Sequence, residues 1–139
     1  MSALEIAQKY FDAWNSRDPE AVVASMASGG TYEDPMTPGP ISGPGLVGHV
    51  GGTLAAFPDR SFEIVDVAAT GENTVYAQWI MRGTNAGSMS GLPPTGKSIE
   101  LHGADFIETS DMGVTKVVGY FDPGQVPRQI GMQVLVQPN

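Results

Sequence analysis

The chemistry available to this chain rests on a few scattered acids. Asp34 stands in the stretch Thr31-Tyr32-Glu33-Asp34-Pro35, where the following proline biases it toward an extended backbone. Between Pro35 and Gly45, four prolines and three glycines make an irregular loop with restricted conformations. Side chains alternate along a strand, so Tyr32 and Asp34 share one face and Thr31 and Glu33 the other. One acid faces inward and one outward, and the local sequence leaves open which. A carboxylate so placed suits proton transfer, and equally suits a plain polar strand end.

Asp105 and Asp122 lie on two successive predicted strands, Lys97 to Thr109 and Val114 to Phe121, joined at Asp111-Met112-Gly113. A turn centred between Asp111 and Met112 sets Asp105 opposite Val118, Gly103 opposite Tyr120 and Leu101 opposite Asp122, so that Asp105 and Asp122 look into one space. A slip of one residue instead places His102 on the face of Asp122. The two assignments exclude each other. An acid facing an apolar interior has its pKa raised by desolvation, which lets a carboxyl group act near neutral pH. Asp122-Pro123-Gly124 also reads as a turn initiator, and His102 as an ordinary strand histidine.

The elements that must hold these residues begin with a capping box, Ser2 with Glu5, ahead of a helix predicted from about Ala3 to Ser16. Leu4, Ala7, Phe11 and Trp14 form one apolar face, and Ile6, Tyr10 and Ala13 a second stripe beside it. That puts the Tyr10 phenol at the edge of the core, where a hydroxyl needs a partner. Asp18-Pro19 opens a short second helix with Val22, Val23 and Met26 inward, ended by Gly29-Gly30. Leu46, Val50, Leu54 and Phe57 recur at helical spacing despite Gly48, Gly51 and Gly52, which read as sites of close packing or of a pocket wall. Strands follow over Ser61 to Ala69 and Thr74 to Thr84, joined by the Thr70-Gly71-Glu72-Asn73 turn, with Val75, Ala77, Trp79 and Met81 on one apolar face.

Composition narrows the function. The chain has 139 residues, 41% hydrophobic and 16% charged, the profile of one globular domain spanning residues 1–139. No apolar run approaches the roughly 20 residues that cross a bilayer, and the N-terminus lacks signal-peptide features, so a cytoplasmic location without membrane association is the expectation. Absence of cysteine removes disulfides, thiolate nucleophiles and cysteine-bound metals. The histidines, His49 and His102, lack the spacing of a helical zinc motif, so no metal is expected. With 15 acids against 7 bases and a net charge of −8, nucleic acid is not an expected partner. Neither a dinucleotide fingerprint nor a phosphate loop nor a nucleophile elbow occurs, so no cofactor is expected.

Helices first and strands afterwards predict an α+β domain, a cone-shaped α+β barrel in which a curved, mostly antiparallel sheet wraps the N-terminal helices. Here the chain resembles the SnoaL-like polyketide cyclases, of the nuclear transport factor 2-like superfamily that also contains ketosteroid isomerase. The resemblance rests on the order of Tyr10-Phe11-Asp12-Ala13-Trp14-Asn15, Tyr32-Glu33-Asp34-Pro35, Phe57-Pro58-Asp59, Gly83-Thr84, Gly91-Leu92-Pro93-Pro94-Thr95-Gly96-Lys97 and Gly119-Tyr120-Phe121-Asp122. It implies the same fold, a homodimer formed through the outer face of the sheet, and intramolecular aldol ring closure with Asp122 as acid/base and a histidine of the preceding strand, nearest His102, assisting.

Similarity to ketosteroid isomerase implies a second set. Asp34 falls where that enzyme has its general base, Tyr10 lies the matching 24 residues upstream, and Asp105 matches a protonated aspartic acid; this trio is a known example of a carboxyl group kept neutral by its site. The combined expectation is a cofactor-independent acid/base enzyme acting on a hydrophobic cyclic carbonyl compound. Asp34, Asp105, Asp122 and Tyr10 are its candidate catalytic residues, and Trp79, Tyr120 and His102 its candidate substrate contacts. The alternatives are an isomerase, hydrolase or hydroxylase in the same pocket, or a non-catalytic module that binds a small molecule or dimerises.

Overall fold

A computed structural model describes every residue from Met1 to Asn139. Helix α1 runs from Ala3 to Asn15 and begins as its sequence demands, with the Glu5 N–H donating to Ser2 Oγ and the Ser2 N–H to Glu5 Oε1, each at 3.2 Å. Ile6, Ala7, Tyr10, Phe11 and Trp14 are buried, whereas Leu4 is exposed. The side chain of Asn15 clamps the helix end to the second strand, donating to Phe62 O at 3.0 Å and accepting from Phe62 N at 2.8 Å.

Helix α2 (Pro19–Ala24) is capped by Asp18, but it stops well before Gly29. Strand β1 (Met26–Glu33) already starts at Met26, which is buried as a strand residue and not as part of a helical face. Gly29 and Gly30 thus have a different use from the helix stop their types suggest. They sit where the register of β1 shifts between Met26 and Thr31, and a Cβ on Gly30 would lie 2.6 Å from the carbonyl oxygen of Val114. Only a glycine lets the two backbones approach so closely.

Helix α3 (Pro44–Ala56) is followed by β2 (Ser61–Ala69), β3 (Thr74–Thr84), β4 (Ser98–Ser110), β5 (Gly113–Phe121) and the short α4 (Gln125–Gln129). The strand order is β1-β5-β4-β3-β2, with β1 parallel to β5 and every other pair antiparallel. The sheet is curved, but its outermost strands β1 and β2 do not pair with each other, so it is not a closed barrel. Its inner face carries Val75, Ala77, Trp79 and Met81, all buried, as the alternation in β3 requires.

One irregularity decides which acids share a face. From the hairpin tip, Ser110 pairs with Gly113 and Thr109 with Val114, the register expected from the turn; then a bulge on β5 shifts it, and Glu108 pairs with Lys116. Asp105 consequently lies opposite Gly119, Ala104 opposite Tyr120 and Gly103 opposite Phe121. The slip is the one that separates Asp105 from Asp122. Leu101, Asp105 and Ile107 point inward, while His102, Phe106 and Tyr120 are exposed on the outer face.

Helix α4 was not evident in the sequence. Its two glutamines act as substitute strand partners for the part of β4 beyond the β5 pairing. Gln125 exchanges hydrogen bonds with the backbone of His102, both at 3.1 Å, and Gln129 with that of Glu100, at 2.6 and 2.8 Å.

Candidate active site

Between the helices and the inner face of the sheet lies a cavity of about 650 Å³, walled largely by apolar and aromatic side chains that include Phe11, Trp14, Phe62, Leu101 and Phe121. The polar side chains that line it include Tyr10 from α1, Tyr32 and Asp34 at the end of β1, His49 and Thr53 from α3, Trp79 from β3 and Asp105 from β4, with Ser88 and Ser90 in the loop after β3. No Lys or Arg lines it. A few polar groups converging in an apolar hollow of this size are the usual form of a small-molecule site.

Asp34 is the acid of β1 that turns inward, together with Tyr32. Its Oδ2 accepts from the Tyr32 hydroxyl at 2.6 Å and faces His49 Nε2 at 3.1 Å, and its Oδ1 accepts from the Met36 N–H at 2.7 Å. Burial pushes its pKa up, but the bonds from His49, Tyr32 and Met36 prevail and hold it below the ordinary carboxylate value. Asp34 is the anionic pole of the cavity.

Asp105 behaves in the opposite way. It is buried with no hydrogen-bonding side chain satisfying it, and desolvation raises its pKa to about 7, reinforced by the negative charge of Asp34 and opposed by the nearby Trp79 indole. The Tyr10 hydroxyl and the Trp79 Nε1–H are both buried without a complete hydrogen bond. Burial above all, and then Asp105, pushes the Tyr10 phenol well above its usual pKa, so it stays a donor. Unpaired buried donors are costly, and in a cavity wall they are free to donate to a bound molecule.

Glycine makes the meeting of the two acids feasible. A Cβ on Gly119 would stand 3.0 Å from Asp105 Oδ1 and 3.4 Å from Asp34 Cβ, so both side chains converge over this bare stretch of β5. The indole of Trp79 similarly lies across Gly103, whose Cβ would come within 2.4 Å of the ring.

The remaining sequence candidates lie elsewhere. Asp122 does not reach the cavity; it accepts from the Gly124 N–H at 2.8 Å and pairs with Arg128 at the surface, in the turn that Asp-Pro-Gly suggests. Asp122→Asn is therefore expected to leave turnover within about twofold of wild type, since exposed ion pairs contribute little. His102 and Tyr120 are excluded from the cavity by strand parity, His102 lying beside Glu100 at 3.7 Å and Tyr120 packing edge-on against Phe106. No group of three His, Asp or Glu side chains is placed to hold a metal ion.

His49 and the Tyr32 to Asp34 bond were missed in the sequence. The signal for Tyr32 was its shared face with Asp34; that for His49 was a helix face made of glycines. A Cβ at Gly48, Gly51 or Gly52 would meet nothing within 4 Å, and Gly48 and Gly52 line the cavity. These glycines leave open space and do not serve close packing. Gly48→Ala with Gly52→Ala should stabilise α3 by up to about 1 kcal/mol each, raising the melting temperature while weakening uptake of bulky apolar ligands, as calorimetry would show.

Residues 7–117 match the model of the SnoaL-like domain. No curated protein sequence matches the chain. Among solved structures, IdmH of Streptomyces antibioticus, a proposed polyketide cyclase, superposes with a TM-score of 0.82 at 24% identity, covering 95% of this chain and 100% of that one. AclR of Streptomyces galilaeus, a proposed hydroxylase, gives 0.80 at 20% identity, covering 93% and 95%. A proposed polyketide cyclase of Acidithiobacillus ferrooxidans gives 0.77 at 27% identity, covering 92% and 93%. No helix of this chain is long and apolar enough to cross a membrane.

Proposed function

The chain belongs to the SnoaL-like family, and from that premise we propose that it is a cofactor-independent acid/base enzyme for a hydrophobic, uncharged cyclic carbonyl compound. The observation that carries this reading is a pair of carboxyl groups in one apolar cavity, Asp34 held ionised and Asp105 holding its proton to about pH 7. Two titratable groups driven apart by their surroundings divide into a basic and an acidic role. The cavity's lack of Lys and Arg disfavours carboxylate or phosphate substrates.

In this reading the substrate carbonyl oxygen takes the place between Tyr10 and Asp105, where a hydroxyl and a carboxylic acid donate to the oxygen as it becomes an enolate. Trp79 closes that side and can add its N–H. The proton leaves the adjacent carbon for a base at the Asp34 end of the cavity, opposite Asp105. Aldol ring closure of the polyketide-cyclase type and double-bond migration of the ketosteroid type share this first step; Asp122 has no part in it. Transfer of the α-hydrogens of 2-tetralone into heavy water, followed by NMR, tests it. Wild-type protein should exceed the buffer rate, with Tyr10→Phe falling by on the order of a hundredfold, whereas exchange at the buffer rate contradicts the reading.

The outer sheet face supports a homodimer. Tyr76, Phe106 and Tyr120 pack ring to ring at 5.7 and 6.1 Å, with Ala68 of the neighbouring strand opposite Tyr76, an exposed apolar patch of the kind that marks an interface. Tyr120→Glu should sediment as a monomer while wild type sediments as a dimer.

A further inference from the structure

We propose that His49, through Nδ1, is the group that takes the substrate's α-proton, and that Asp34 and Tyr32 are positioning residues that fix its tautomer. This rests on the acid/base reading above and changes the base from the aspartate that the sequence suggests to a histidine it does not. The lone pairs of Asp34 are largely committed. Oδ2 serves both the Tyr32 hydroxyl and His49 Nε2, and Oδ1 serves the Met36 N–H. With its side chain only 4% exposed, three of the roughly four lone-pair positions of this carboxylate are taken and Oδ2 is fully engaged. A group already satisfied three times over is a weak base.

The same bonds prepare His49. An ionised carboxylate has no hydrogen to give, so the contact at 3.1 Å requires the hydrogen on Nε2. In the neutral ring the basic lone pair is then on Nδ1, which has no hydrogen-bond partner. Imidazole is the side chain whose ordinary proton affinity lies closest to neutrality. Asp34 also offsets the charge of the imidazolium once it forms, as the orienting acid does in an acid-histidine-nucleophile arrangement. The Tyr32 ring packs against the imidazole at 5.4 Å between centroids and so holds its plane.

Room for substrate exists beside the ring. Gly48 and Gly52 flank His49 on the cavity side of α3, and neither would meet an atom if it carried a methyl group. The titratable groups that face the cavity with His49 are Tyr32 and Asp34 from β1, Tyr10 from α1 and Asp105 from β4. In the step itself, the bond from the α-carbon to hydrogen breaks, the proton goes to Nδ1, and the electron pair moves into the carbonyl to give an enolate held by Tyr10 and Asp105. The imidazolium then returns the proton to another carbon, or to the alkoxide formed when the enolate carbon adds to a second carbonyl of the same molecule. No oxidant or reductant is needed.

Two measurements test this. With only two histidines in the chain, long-range proton–nitrogen NMR on uniformly labelled protein, assigned with His102→Gln, reads the His49 tautomer directly. The neutral ring should carry hydrogen on Nε2 in wild type and show mixed tautomers in Asp34→Asn. Hydrogen on Nδ1 in wild type would overturn the proposal. In the 2-tetralone exchange assay, His49→Gln and His49→Asn should each lose about 10²- to 10⁴-fold, and Asp34→Asn should lose less while the pH midpoint of its residual rate moves. Full exchange in both His49 variants, with Asp34→Asn inactive, would return the base role to Asp34 and leave the acid/base reading intact. Exchange no faster than buffer in wild type would remove that reading, and this proposal with it.

Discussion

Replacing Asp105 with asparagine is expected to make the protein more stable above neutral pH and far less active. The folded state raises the carboxyl's pKa to about 7 because ionisation would place an uncompensated charge in an apolar wall. Below the ordinary carboxylate range the group is protonated whether the chain is folded or not, and it does not affect folding. Between that range and about 7 the unfolded chain ionises while the folded one keeps its proton, so the folded state binds more protons and wild-type stability falls as pH rises. Above about 7 the full penalty applies, up to about 4 kcal/mol. Asparagine occupies the same volume without a charge. Urea melts at acidic and alkaline pH should show wild type losing stability across this window by more than the variant does. Turnover should drop by on the order of a hundredfold, because an amide is a far weaker hydrogen-bond donor to the developing enolate than a carboxylic acid. Wild type should lose rate on passing above about pH 7, where Asp105 ionises, and the variant should not.

A single methyl group on Gly119 should also lower activity, by geometry alone. The added Cβ would press on Asp105 Oδ1 at 3.0 Å and touch Asp34 Cβ at 3.4 Å, a contact that demands a shift of a few tenths of an ångström from one acid or the other. The backbone there is ordinary strand, so Gly119→Ala should cost no more than about 1 to 3 kcal/mol, the range for a tight overpacked site. Misplacement of reacting groups by about an ångström can cost a hundredfold in rate. A shift of a few tenths costs less, so Gly119→Ala should melt within several degrees of wild type yet exchange 2-tetralone roughly tenfold more slowly. Equal activity would mean that the acids do not depend on their approach over β5.

Much of this architecture follows from local pattern. The capping box of α1, the bounds of β2 and β3, and the inward face of β3 are visible because each rests on neighbouring residues and a fixed period. The parallel pairing of β1 with β5 is not, since it joins segments far apart in the chain, and neither is α4, whose five residues are too few to establish a helical period. The site shows the same division. Tyr10, Asp34 and Asp105 enter the cavity as their positions suggest, and Trp79 follows from the alternation of β3.

The two registers open to the β4–β5 hairpin differ by one residue, and the chain takes the slipped one, which sends Tyr120 and Asp122 away from the cavity, to the side of His102. The bulge responsible lies just after Gly113, whose backbone has φ +124 and whose Cβ would fall 2.8 Å from Ser25 O. The start of β5 is thus shaped by its packing against the chain that leads into β1, and no reading of the hairpin alone contains that contact. His49 escaped notice because its role depends on a carboxylate that only folding brings to it. Its surrounding glycines, costly in a helix, were the one local sign that space was being kept there.

The central claim is that one cavity holds two carboxyl groups in opposite states of protonation. Carbon-13 NMR titration of the aspartate carboxyls, assigned with Asp34→Asn and Asp105→Asn, measures this without any substrate. Asp105 should titrate near pH 7 and Asp34 below the ordinary carboxylate value. Ionisation of both within the ordinary range, with Asp105 charged at neutral pH, would contradict the account.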